Sequence, residues 1–346
     1  MGSSRLLSDL TSPESVRPTI LTFFRNNGVA VLYDWLCCIV LAGVAAAIHS
    51  ASIYKPDNRI IPVYLGPSNQ YTLPTELSYP IKDPLVSTSI CTFLVGVMPS
   101  LVITLFQVKV QSVLDFYIGT TGVVKTVLFT TIISVSLKHF VGGFRPHYIE
   151  ACQPDLTLLT NMNASSNTSW WMSPAACTGK KSDIVEALRG FPSGHAATSF
   201  AAAVFLALYL NAKLKLFSDL APGVLDLAAI VAPLFIASLI SGSQYVTHQH
   251  HTHEIFAGIL IGILTGVCSY RLRYAAIFDF RYNHIPLTTF SSAIHGPQDI
   301  GYLRQSHNDQ KLMLGQWWAK LSQRGDRQRL EEYLEVPTQK AQCRVW

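Results

Sequence analysis

The stretch "GFPSGHAATSF", residues 190–200, leads from a polar segment into an apolar run that continues to Asn211. Pro192, Ser193, Gly194 and His195 therefore open a helix. The first turn of a helix presents N–H groups without intrahelical partners and the positive end of the dipole. A Ser193 hydroxyl adds a donor and Gly194 lets a ligand approach the backbone, so the four residues read as an anion cradle with a histidine beside it. The plain alternative is a Ser N-cap followed by an interfacial His, and four residues alone do not decide between the two.

The rest of the chain says what this helix sits in. Of 346 residues, 49% are hydrophobic and 14% charged, with a mean hydropathy of +0.29. That balance is too apolar for one soluble core of this length and predicts an all-α polytopic membrane protein. Six runs approach the length of about 20 helical residues that a bilayer requires. They are Gly28 to Ser50, Leu85 to Gln107, Phe116 to Leu137, His195 to Asn211, Val224 to Ser241 and His250 to Tyr270. The chain thus divides into an N-terminal segment 1–27, a six-span domain 28–273 with a long loop 139–194, and a tail 274–346. The first run is too long and too far from Met1 for a cleaved signal peptide.

Lys and Arg set the orientation. Arg5, Arg17 and Arg25 precede the first span, Lys109 lies between the second and third, Lys213 and Lys215 between the fourth and fifth, and Arg271 and Arg273 follow the sixth. The positive-inside rule makes these segments and both termini cytosolic. The 139–194 loop is then lumenal or extracellular, in an endomembrane or the plasma membrane. It carries glycosylation acceptor sequences at Asn163 and Asn167, and Cys152 and Cys177 can bridge in an oxidising lumen. Cys37, Cys38, Cys91 and Cys268 fall in spans as small apolar residues, Cys343 lies in the tail, and no zinc spacing links them. A net charge of +5, mild and scattered, argues against a nucleic-acid partner.

Two further stretches fall at the same predicted membrane face. "LKHFVGGFRPH", residues 137–147, ends the third span with Lys138 and Arg145, cations on the side where the positive-inside rule disfavours them. They hold a bound anion or else snorkel to headgroup phosphate. Gly142 and Gly143 give the backbone room to turn between them. "SGSQYVTHQHHTHEIFAG", residues 241–258, opens the sixth span. With helix already formed, His250 and Glu254 share a face, and the carboxylate fixes one ring nitrogen while the other is left as a nucleophile. The competing reading is a metal site, since His248, His250, His251 and His253 fall within six residues. No second cluster of carboxylates or cysteines completes such a shell, so metal is the minority reading and no cofactor is expected.

Together these stretches resemble the type 2 phosphatidic acid phosphatase superfamily, and within it the integral-membrane lipid phosphate phosphatases, fungal members most of all. The family pattern is Lys, six residues, Arg-Pro; then Pro-Ser-Gly-His; then Ser-Arg, five residues, His, three residues, Asp. Lys138, Arg145 and Pro146 match the first motif, Pro192 to His195 the second, and Ser243, His250 and Glu254 occupy the third. The resemblance covers residues 28 to 273 and implies metal-independent hydrolysis of lipid phosphate mono- or diphosphate esters through a phosphohistidine. His250 would be the nucleophile, Glu254 its orienting carboxylate and His195 the general acid. Lys138, Arg145, Ser193 and Gly194 would bind the phosphate, with Gln244 beside them. Phosphatidate, lysophosphatidate, diacylglycerol pyrophosphate, sphingoid phosphates and prenyl diphosphates all fit.

Two positions depart from the pattern. Gln244 stands where the family has Arg and Glu254 where it has Asp. The Gln removes a bidentate cation, which leaves open a weakened enzyme, a lipid-phosphate binder, or a site that processes or cyclises a prenyl diphosphate. Lys125 and Asp226 lie in spans near a cytosolic end and are expected to snorkel. The tail segment 310–335 reads as a short amphipathic surface helix or a disordered extension.

Overall fold

Six apolar runs become six long helices in the computed structural model of the chain, which describes residues 20–50, 59–65, 71–155, 171–217 and 222–287. They are α1 (Ile20–Ser50), α2 (Thr88–Val110), α3 (Val113–Phe140), α6 (Gly194–Leu214), α7 (Val224–Val246) and α8 (Thr252–Arg273). All six are long and apolar enough to cross a membrane, as the hydropathy of the chain predicts. Local chemistry fixes several starts. The Ser87 hydroxyl accepts from Ile90 N–H at 3.3 Å to begin α2, and Ser112 accepts from Asp115 N–H at 3.3 Å to begin α3. Asp226 accepts from Gly223 N–H at 3.0 Å. It thus closes the first turn of α7, where the sequence suggests a snorkelling charge.

Three boundaries differ from expectation in ways that matter. α1 begins at Ile20, ahead of the predicted Gly28, and α7 continues past Ser241 to Val246, so Ser243 and Gln244 are helical. α8 begins at Thr252 with His251 as its N-cap, so His250 precedes the helix. The shared helical face expected for His250 and Glu254 therefore does not exist. A cap at the start of α8 brings them together instead.

α6 is the centre of the bundle and packs most closely on α8, then on α7, α3 and α2, while α1 sits outside against α3. Alanine makes this possible: Ala196, Ala197, Ala201, Ala202, Ala203 and Ala207 are all buried on α6. On α8, Gly258, Gly262 and Gly266 recur every fourth residue and face it. A Cβ at 258 would come within 2.5 Å of the Ser193 carbonyl oxygen, and one at 266 within 2.8 Å of the Ala201 carbonyl oxygen. Between helices in lipid there is no water to expel, so close backbone approach along small residues supplies the contact. This seam also sets the height of the α6 N-terminus against α8.

At the end of the bundle away from the 139–194 loop, a buried carboxylate ties four segments together. Asp115 Oδ1 accepts from Lys213 Nζ at 2.7 Å and from the Tyr274 hydroxyl at 3.3 Å. Its Oδ2 accepts from the Tyr209 hydroxyl and Gln107 Nε2, both at 2.9 Å. Lys213 is therefore a buried ion-pair partner, 5% exposed, and not the solvated loop charge its position in the sequence suggests. Lys125 likewise pairs with Asp34 on α1, whose other oxygen accepts from the Tyr117 hydroxyl at 2.9 Å.

At the opposite end the chain builds a small cap on the helices. It contains α4 (Tyr148–Cys152), α5 (Lys181–Ala187), and two antiparallel pairs. β1 (Ile61–Pro62) pairs with β4 (Trp171–Met172), and β2 (Tyr64–Leu65) with β3 (Tyr71–Thr72). Ile61, Val63, Tyr148, Met172 and Leu188 form its apolar core. Cys152 and Cys177 are joined by the disulfide the sequence allows, with Cα atoms 4.7 Å apart. The glycosylation acceptors and the 310–335 segment lie outside the described residues.

Candidate active site

The three motifs meet where this cap rests on the ends of α3, α6 and α8. Lys138 occupies the last turn of α3, and its Nζ donates to the Arg189 carbonyl at 2.8 Å. Its side chain passes the start of α6: Lys138 Cε is the atom nearest to where a Gly194 Cβ would stand, at 3.8 Å. Gly194 thus leaves the helix terminus and the lysine facing the same space. Ser193, the N-cap of α6, donates its N–H to the Glu254 carbonyl at 3.0 Å. The Ser193 Oγ and the His195 Nε2 are both buried, with no hydrogen-bond partner among the described residues. Pro192 follows a cis peptide bond from Phe191.

Arg145 is 9% exposed. Its Nη1 donates to Gln249 Oε1 at 3.2 Å, its Nη2 pairs with the Glu186 carboxylate, and its Nε is buried without a partner among the described residues. Arg145 N–H donates to the Ala187 carbonyl at 2.8 Å, and the Pro146 carbonyl accepts from Tyr79 N–H at 3.1 Å, so the first motif is anchored in the cap.

His250 and Glu254 form the buried centre. Glu254 Oε2 accepts from His250 Nδ1 at 2.9 Å and from the backbone N–H of His251 at 3.1 Å. The second bond satisfies one of the orphan donors at the start of α8. Glu254 therefore caps its own helix and orients the ring that precedes it. With Nδ1 carrying the proton toward a carboxylate, Nε2 keeps the lone pair. Burial, then the Lys138 and Arg145 cations, hold the His250 ring well below the usual imidazole range, so it is uncharged at neutral pH.

Glu254 rests on glycine. A Cβ at Gly143 would come within 3.0 Å of Glu254 Oε1, and one at Gly190 would strike the same carboxylate. These two glycines belong to adjacent strands of backbone, since Gly190 N–H donates to the Gly143 carbonyl at 2.9 Å. A side chain at either position would occupy the volume of the carboxylate. Gly142, by contrast, carries the left-handed turn expected of the pair, at φ +59°.

The loop 247–251 that presents His250 is clamped by residues the motifs do not include. His147 Nδ1 lies 3.1 Å from the carbonyl of His248, a residue at φ +55°. The His248 ring stacks on Tyr79 with centroids 4.1 Å apart, and Gln249 Nε2 donates to the Lys82 carbonyl at 2.7 Å. His251 stacks against His253 at 5.6 Å. Among the described residues no three His, Cys, Asp or Glu side chains converge as a metal site would need. His147 and Gln249 adjoin motif residues and are findable by that adjacency; Glu186 and Tyr79 carry no sequence signal.

Lys138, Arg145, Ser193, Gly194, His195, His250 and Glu254 are brought together. Gln244 stands apart from them in its side-chain bonding: it is 2% exposed, and its Nε2 donates to Ser243 Oγ at 3.3 Å. Its carbonyl does more, accepting from the N–H groups of Gln249 at 2.9 Å and His250 at 3.3 Å. The end of α7 thereby closes the loop that holds the candidate nucleophile.

Comparison with known proteins adds the family. Residues 119–278 match the PAP2 superfamily. Lipid phosphate phosphatase 1 of Arabidopsis thaliana is 30% identical over 242 residues, which cover 70% of this chain and 68% of that one. Lipid phosphate phosphatase 2 of the same plant is 29% identical over 74% of this chain and 82% of its own. "Probable diacylglycerol pyrophosphate phosphatase 1" of Schizosaccharomyces pombe is 30% identical over 53% of this chain and 61% of its own. No solved structure matches at a significant level. With its three motifs gathered at one end of six apolar helices and relatives that match along most of its length, the chain belongs to the PAP2 superfamily.

Proposed function

We propose that the protein is a lipid phosphate phosphatase that works through a phosphohistidine without a metal. The observation that carries this reading is the buried, neutral His250, held by Glu254 at 2.9 Å beside Lys138 and Arg145. In the first step the His250 Nε2 lone pair forms a bond to phosphorus as the bond from phosphorus to the lipid oxygen breaks, and protonated His195 gives its proton to that oxygen. In the second, water attacks phosphorus, the P–N bond breaks, and His195 takes the proton from water. Glu254 keeps the Nδ1 proton in place through both. Lys138, Arg145, Ser193 Oγ and the Gly194 N–H are the donors for the equatorial oxygens. The unpartnered Ser193 Oγ, Arg145 Nε and His195 Nε2 support these roles, because buried polar groups are ordinarily paired.

The relatives' names support lipid phosphates and diacylglycerol pyrophosphate as the substrate class. The distribution of Lys and Arg supports one side of the membrane for the site, and the Cys152–Cys177 bridge, which favours an oxidising compartment, supports the same side. We place the site at the lumenal or extracellular face, with the ends of α2 and α6 that carry Lys109 and Lys213 toward the cytosol.

Phosphate release from phosphatidate by the purified protein in detergent tests the reading. Orthovanadate is expected to inhibit at micromolar concentration, since a trigonal-bipyramidal oxyanion suits donors placed for the transition state, and EDTA to leave the rate unchanged. An enzyme silenced by EDTA would return the histidine cluster to the role of a metal site. The position where the family has Arg supplies a second test. Gln244→Arg is expected to raise the rate on a lipid monophosphate about ten-fold, the scale of one added charge-assisted hydrogen bond to the transition state. Assay of a monophosphate and a diphosphate side by side checks it. No change on either would mean that the residue at 244 does not face phosphate.

A further inference from the structure

The cradle accounts for a headgroup and leaves the tail of a lipid without a place. α2 and α7 both pack on α6 but hardly touch one another. Between them lies a crevice of about 240 Å³ floored by α6. Its upper limit is set by Leu94, Ser199 and Ile240 and its base by Phe106, Leu210 and Ala229. The lining is alkyl almost throughout, and the crevice opens sideways past Met98 and Ile236, both exposed.

Two features say what fits it. Ser199 lies one helical turn below His195 on α6, and Ile240 one turn below Gln244 on α7, so the upper limit adjoins the candidate active site. From there to the base is eleven residues on α6 and on α7, about 16 Å of helix, or roughly half of the ~30 Å hydrocarbon core. That is the depth of one leaflet. Small side chains leave room for a slender chain: Ala202 and Ala203 lie on the α6 floor, and Ala232 and Ala237 on the α7 wall.

We propose that this crevice receives one acyl chain of the phosphorylated substrate while the headgroup sits among Lys138, Arg145 and His250. This inference rests on the functional reading above. A tail leaving the bilayer for the crevice is stabilised little, since lipid is as apolar as a leucine-lined wall. The crevice therefore acts by aligning the phosphoryl group and by refusing tails that do not fit, and its effect falls on relative kcat/KM between chain lengths. Ala232 is exposed in the wall, eight residues or about 12 Å below Ile240, and Phe106 closes the base by packing edge-on against Tyr209. These two residues set the length that fits.

Ala232→Phe is expected to lower kcat/KM for palmitoyl lysophosphatidate about ten-fold, the scale of a misaligned reacting group, while octanoyl lysophosphatidate and glycerol 3-phosphate are hydrolysed as before. Phe106→Ala should act in reverse and raise the rate on a behenoyl chain relative to palmitoyl. A readout that needs no turnover accompanies them: a palmitoyl lysophosphatidate carrying a terminal diazirine should label the lower halves of α2, α6 or α7 on irradiation. Equal loss on all three substrates, no loss on any, or label confined to other helices would overturn the assignment of the crevice. Wild type that binds and labels as expected but releases no phosphate would instead overturn the phosphatase reading and leave the crevice standing.

Discussion

His250→Ala is expected to lower phosphate release from a lipid monophosphate by about four orders of magnitude or more, because it removes the atom that forms the covalent bond. The substitution empties a buried site without touching a helix: His250 precedes α8 and packs in the loop 247–251, which His147, Tyr79 and Gln249 hold independently. Lipid binding and thermal stability should therefore change little. Acid-labile label on the protein after brief exposure to a labelled lipid phosphate should disappear in the variant. Substantial residual turnover would end the assignment of His250 as nucleophile. Loss of lipid binding along with turnover would instead mean that the ring mainly supports the loop.

The second large effect concerns stability. Asp115→Leu is expected to cost about 3–5 kcal/mol, since it leaves Lys213 buried and unpaired. The carboxylate also accepts from Tyr209, Tyr274 and Gln107, so their polar groups lose a partner in the same stroke. Replacing both charges, as Asp115→Leu with Lys213→Met, should recover most of the loss, because a well-packed apolar pair avoids desolvating two ions. Thermal unfolding in detergent reads both variants. The site lies some 23 residues further along α3, about 35 Å away, so folded Asp115→Leu protein should retain its kcat. Equal stability of the single and double variants would show that Lys213 finds other partners.

That network also marks where sequence reading stops. The six spans are legible because lipid imposes a length and a polarity on any helix that crosses it. Asp115 and Lys213 look like ordinary charges at two helix ends, and nothing local pairs residues 98 positions apart. The same holds for Lys125 with Asp34. In the site, motif spacing picks out seven residues that do converge, because each motif begins or ends a helix at the same end of the bundle. The spacing of His250 and Glu254 points to the right partners for the wrong reason: it predicts a helical face, and a helix cap does the joining. Glu186 and Tyr79 come to the site through tertiary packing alone.

The glycine floor under Glu254 couples three positions that are far apart in sequence. An Asp at 254 would leave a gap above Gly143 and Gly190, and a side chain at Gly190 would leave no room for Glu. Each state is self-consistent, and the mixed ones are not equally so. Positions 143, 190 and 254 therefore act as one unit in any redesign of the site: the longer carboxylate needs both floor positions bare, and a side chain at Gly190 needs a shorter acid above it.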